Sequence, residues 1–170
     1  MNPKDNPKVK RKETSKYGLG VFATADIKAG ELISSFTDGE FYNASDAMSL
    51  PNDPPLFAGR HAIEYAEGQW RDGEIDRIAR YVAHSCEPNC GIKNLFDIVA
   101  MRDIEAGEEI TWDYAMSEDS NFRMNCLCGK PTCRGVVGAF SLLSSEQRLE
   151  FTNRCSGFIS VWLVYKYELY

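Results

Sequence analysis

Several things are scarce or missing in this 170-residue sequence, and each absence narrows what it can be. No apolar run is long enough to cross a bilayer as a helix; the most apolar stretch, FISVWLVY, has less than half of the required length of about 20 residues. The opening residues, MNPKDNPKVKRKET, contain no apolar core of the kind a secretory signal needs. An excess of positive charge is also missing. The formal net charge is −6, which argues against direct nucleic-acid binding by bulk electrostatics and favours cationic partners such as lysine-rich peptides. Internal repeats and low-complexity linkers are absent. These absences point to a cytoplasmic or nuclear protein with no membrane role, and not to a secreted one.

Cysteine, by contrast, is plentiful. In a reducing compartment six cysteines read as metal ligands or structural thiols before they read as disulfides. Three of them, Cys126, Cys128 and Cys133, fall within the stretch NCLCGKPTC. Residues two apart in an extended segment face the same way, so Cys126 and Cys128 can reach one ion. Gly129 and Pro131 then turn the chain so that Cys133 can join them. A structural zinc takes four ligands in tetrahedral array. Candidates for the fourth are Cys86, Cys90, Cys155 or a histidine. Cys155 sits in a predicted helical segment and reads as a small buried hydrophobe. Cys86 and Cys90 share a Pro- and Asn-containing loop, which suits a ligand held by backbone geometry.

Along the chain, residues 1–14 read as a flexible basic arm. Short runs rich in β-branched and aromatic residues follow, among them YGLGVFATADI, GELISSF, FDIVAMRDI and GEEITWDY. Two stretches share the pattern DI-x-AG-E, Asp26 to Glu31 and Asp103 to Glu108, and predict similar hairpin-type corners. DRIARYVAH predicts a short helix or turn leading into the loop HSCEPNC. Ser144 and Gln147 stand at capping-box spacing and predict a helix start. In the final stretch, Phe158, Trp162, Tyr165 and Leu169 fall on one helical face, most simply a core-facing stripe; a homodimer or substrate-docking surface is the sharper reading. The fold class expected from these patterns is mainly β with short helices (α+β).

YGLGVFA, RIARYVAHSCEPNC, GEEITWDY and CLCGKPTC together resemble, in order and spacing, the SET-domain protein-lysine methyltransferases that carry a post-SET zinc-binding tail. The resemblance covers about residues 14–135. It implies a SET-type β fold of small sheets with a pseudoknot over residues 15–116 and a post-SET zinc segment over 117–137; the C-terminal helical extension expected over 138–170 rests on the local pattern and lies beyond the resemblance. The resemblance further implies S-adenosylmethionine as methyl donor, one structural zinc ion, and a lysine ε-amine of a protein or peptide, histone-like or not, as acceptor. The fourth zinc ligand it implies is Cys86, which leaves Cys90 as a structural thiol.

Residue roles follow from the same resemblance. Tyr17, Gly18, Leu19, Gly20, Phe36, Arg80, Ala83, His84 and Leu127 are expected along the donor, with Gly18 and Gly20 permitting close backbone approach. Trp112, Tyr81 and Tyr114 are expected to line the lysine channel, and Tyr114 to be the catalytic residue. His84 is expected to position groups and not to act as a base; His61 has no motif around it and reads as structural. One departure stands out: family members usually carry Asn where this chain has Ala83. The lost amide contacts suggest weaker donor binding, and they motivate an alternative in which the chain is a catalytically weak SET-like module that binds a lysine-containing partner. A thiol hydrolase built on Cys86 and His84 is disfavoured, because the two lie two residues apart in a tight loop.

Overall fold

The computed structural model describes residues 5–43 and 62–170; His61 lies outside them. The period-2 runs become short strands: Val9–Thr14 (β1), Gly18–Ala23 (β2), Leu32–Ser35 (β3), Phe41–Asn43 (β4), Ile63–Ala66 (β5), Gln69–Arg71 (β6), Ala83–His84 (β7), Cys90–Lys93 (β8), Asp97–Ala100 (β9), Glu109–Trp112 (β10), Arg123–Asn125 (β11) and Val136–Gly138 (β12). The main sheet runs β1-β2-β10-β8-β9-β3, with β7 also paired to β10. A three-stranded sheet, β4-β6-β5, and the two-stranded β11-β12 complete the set. Val21, Ile33, Ile92, Ile98 and Ile110 alternate inward from these strands and are fully buried. This is the mainly β fold with short helices that the sequence patterns predict, divided among several sheets as the resemblance implies.

The two DI-x-AG-E stretches turn out to be one device. Ile27 and Ile104 bridge each other and are both buried. The Asp26 carboxylate accepts from the Ala106 N–H at 3.0 Å, and the Asp103 carboxylate accepts from the Ala29 N–H at 2.9 Å. Each aspartate thus satisfies a donor of the opposite turn. Gly30 and Gly107 take φ of 86° and 93°, a left-handed backbone that a side chain would strain.

The basic arm needs correction. Residues 9–14 form β1, in register with β2 from Val9↔Ala23 to Thr14↔Gly18. Asn6 also donates through its backbone N–H to the Ile33 carbonyl at 2.8 Å. Backbone pairing fixes this segment although most of its side chains are exposed, so composition alone misread it.

Two short helices follow the sheets: Ser145–Arg154 (α1) and Val161–Tyr167 (α2). Ser144 caps α1, with both hydrogen bonds of the capping box present. In α2 the expected inward stripe is displaced. The helix begins only at Val161, after Phe158; Leu163 is the fully buried residue, and Tyr165 is 71 % exposed. Trp162 is half-buried and donates from Nε1 to the Glu64 and Ser117 carbonyls at 3.2 and 3.0 Å. Lys166 and Tyr167 both reach the Asp119 carboxylate, at 2.8 and 2.7 Å. The C-terminal segment therefore braces the loop that follows residue 116. Among the described residues no helix is long and apolar enough to cross a membrane.

Candidate active site

The site is built where β10 runs parallel to two strands at once. Thr111 and Trp112 pair with Ala83 and His84 of β7, and Trp112 also pairs with Cys90 of β8. Past Trp112 the chain leaves the sheet in a short 3-10 turn, Tyr114–Met116, capped by Asp113, whose carboxylate accepts from the Ala115 N–H at 3.1 Å. Strand pairing thus sets the depth of Tyr114, and the cap fixes its direction.

A cavity of about 350 Å³ opens at this strand end, within the size range of small-molecule sites. Tyr17, Leu19, Phe36, Arg80, Tyr81, Ala83, His84, Trp112, Tyr114 and Leu127, all named from the sequence, line it together. Gly18 and Gly20 do not. Gly18 takes φ of 85° at the β1–β2 turn, and a Cβ at Gly20 would stand 2.7 Å from Glu109 Oε1. Their smallness serves the turn and the packing of β2 on β10. Tyr17 lies over the same strand, its hydroxyl bonded to the Glu109 carboxylate.

Tyr114 donates its hydroxyl proton to the Val82 carbonyl at 3.2 Å, and burial pushes its pKa up to about 12. At neutral pH it is a neutral phenol. Its ring sits 4.9 Å from Trp112 and 5.3 Å from His84, centroid to centroid. His84 is neutral too, because burial drives its pKa down to about 4 against the opposing pull of Asp113. Its Nδ1 accepts from the Tyr114 N–H at 3.2 Å, so the ring proton belongs on Nε2, which faces Cys86 Sγ at 3.5 Å. The imidazole holds the Tyr114 backbone and one cysteine at once.

Cys86, Cys126, Cys128 and Cys133 converge, with all four sulfurs within 4.8 Å of one another. Cys86 and Cys126 stand 3.8 Å apart, about the sulfur–sulfur edge that 2.3 Å bonds to a tetrahedral zinc would produce. Four soft thiolate donors with no further ligand fit a closed structural site. Of the other two candidates, Cys90 and Cys155 are buried elsewhere in the core. The cysteine-bearing segment supplies Met124, Leu127, Cys128 and Val137 to the cavity wall.

Sequence reasoning passed over Asp113 and Arg134. Asp113 is fully buried, and the Arg134 guanidinium grips both its oxygens, at 2.7 and 2.8 Å. The signals were present: Asp113 sits inside GEEITWDY, and Arg134 directly follows the last cysteine of the cluster. Ser117, Glu118 and Phe122, also cavity-lining, lie in a stretch without a legible motif.

Comparison with known proteins gives a SET domain over residues 18–115. Among curated relatives, the chain is 30 % identical over 140 residues to "Histone-lysine N-methyltransferase, H3 lysine-36 specific" of Mycosarcoma maydis, covering 74 % of this chain and 14 % of that protein. It is 32 % identical over 133 residues to "Histone-lysine N-methyltransferase ATX2" of Arabidopsis thaliana, covering 71 % and 12 %. With "Histone-lysine N-methyltransferase mes-4" of Caenorhabditis elegans it shares 31 % identity over 154 residues, covering 77 % and 17 %. The chain thus spans less than a fifth of the length of these relatives.

Proposed function

The chain belongs to the SET-domain family, and on that premise we propose that it transfers a methyl group from S-adenosylmethionine to the ε-amine of a protein lysine. The observation that carries this reading is the meeting of Tyr114, Trp112 and His84 at one largely apolar cavity, closed on one side by the four-cysteine segment. The relatives' names put histone lysines first as acceptors, and the net charge of −6 suits a basic histone tail.

When bound, the donor supplies a methyl group on a positively charged sulfur. Tyr17, Leu19, Phe36, Ala83, His84 and Leu127 are the residues to hold it, and Cys86, Cys126, Cys128 and Cys133 those to hold one zinc ion as a structural crosslink. The rest is the work of the chain. A free lysine has a pKa near 10.4 and must lose a proton before it can attack. An aromatic channel walled by Trp112 and Tyr81 disfavours the ammonium by desolvation, so the amine is reached without a dedicated base. Tyr114 cannot be that base, being protonated and already donating to the Val82 carbonyl. Its hydroxyl oxygen keeps lone pairs with which to orient the amine, while Trp112 limits the space for successive methyl groups. Rate then comes from alignment and from excluded water, in a direct displacement with no covalent enzyme intermediate.

The test is incubation of core histones and other lysine-rich proteins with tritiated donor and the purified chain. Label on lysine that disappears in the Tyr114→Phe variant is the expected result; no label on any lysine, from protein shown to bind the donor, removes the proposal.

A further inference from the structure

Arg134 belongs to two networks at once. Its backbone N–H donates to Cys86 Sγ at 3.4 Å, one residue beyond Cys133, so it borders the sulfur cluster. Its guanidinium forks onto both oxygens of Asp113. Asp113 caps the turn that carries Tyr114 and stands 3.6 Å from His84 Nδ1. His84 in turn bonds the Tyr114 N–H and faces Cys86. Hydrogen bonds run from Asp113 through Arg134, Cys86 and His84 to the Tyr114 N–H, and the Asp113 cap on the turn that carries Tyr114 closes the ring.

We propose that Arg134 is a positioning residue that couples metal occupancy of the four-cysteine cluster to the donor cavity through Asp113. The inference rests on the methyl-transfer reading for the identity of the cavity's ligand, but the ring of contacts stands without it. A bidentate arginine–carboxylate pair at a fully buried aspartate has one favourable geometry. Displacing the cysteine segment must therefore break the fork or move Asp113, and moving Asp113 moves the turn of Tyr114. Lysine could keep the charge but not the fork. Coupling between two sites is reciprocal, so a ligand in the cavity must tighten the metal by the same factor as the metal tightens the ligand.

The experiment measures zinc affinity of the full chain by competition with a chromophoric chelator, with and without saturating S-adenosylhomocysteine. In the native protein the ligand should tighten zinc about fivefold or more, the lower end of ordinary coupling. In Asp113→Asn/Arg134→Met, which avoids leaving a buried charge alone, the factor should fall to within about twofold of unity. Arg134→Lys should lie between the two. A merely structural arginine would lower stability in the variants and leave the factor unchanged; that result overturns the proposal, as does a native protein that binds both ligands with no mutual effect. If S-adenosylhomocysteine does not bind at all, the methyl-transfer reading falls on its own. The coupling is then read by hydrogen exchange of the zinc-loaded chains. Amides of residues 113–116 and 123–137 should exchange together at least tenfold faster in the double variant, and unchanged protection at 113–116 sinks it.

Discussion

At the scale of single residues, the site depends on a few groups whose protonation and shape are set by burial. Tyr114→Phe deletes one hydroxyl and the bond to the Val82 carbonyl. Turnover should fall by on the order of a hundredfold or more, with donor-product affinity within about twofold of native and Tm nearly unchanged; parallel calorimetry and rate assays check this. Ala83 lines the cavity with a methyl group at the position where the resemblance noted from the sequence leads one to expect an amide. Ala83→Asn should tighten S-adenosylhomocysteine about ten- to a hundredfold, the worth of one hydrogen bond to a charged group, as titration calorimetry would show. Glu64 gives a pH signature. It is 1 % exposed, and burial, reinforced by the neighbouring Glu118 carboxylate, pushes its pKa up to about 9. The folded state keeps a proton that the unfolded chain releases above about pH 4.5, so stability declines as pH rises from there through about 9. Glu64→Gln should flatten that decline, which chemical denaturation compared at pH 5 and pH 8.5 would show.

At the scale of elements, the C-terminal helix is a brace and not an accessory. Leu163 of α2 is fully buried, and Leu163→Ala should cost about 2–5 kcal/mol by cavity formation, read as a lower denaturation midpoint. A chain ending near residue 156 should lose both Trp162 bonds and the Lys166 and Tyr167 contacts to Asp119, and with them much of its donor affinity. What was legible at this scale depended on local chemistry. The α1 start was readable because Ser144 and Gln147 make a self-contained cap. The paired corners were readable as turns, but their mutual capping was not, since Asp26 and Asp103 answer donors about eighty residues away. β1 was missed because an edge strand with outward lysines looks like a solvated tail; only its register with β2 reveals it. The stripe in α2 was misplaced because its phase depends on where the helix begins, and the segment before Val161 is held by backbone bonds to the sheet, with the Phe158 carbonyl accepting from Ile92.

At the scale of the whole molecule, distant parts of the chain meet to form one cavity. Residues near 17, 36, 80–84, 112–118 and 124–137 all contribute to it. Motif order made most of these recoverable from sequence, because each motif carries its own turn or cysteine signal. Asp113 and Arg134 were missed because their flanking motifs mark where each lies, while the ion pair that joins the two elements follows no spacing rule. Removing zinc should therefore loosen residues 123–137 as a unit, and limited proteolysis after chelation should cut there first while the strands of the main sheet stay protected. The central claim is that this assembled cavity is a donor site. Calorimetric titration of S-adenosylhomocysteine into zinc-loaded full chain tests it most directly: one molecule bound per chain, weakened by truncating Leu127 to alanine, is the predicted result, and the absence of any binding by folded, zinc-loaded protein would contradict it.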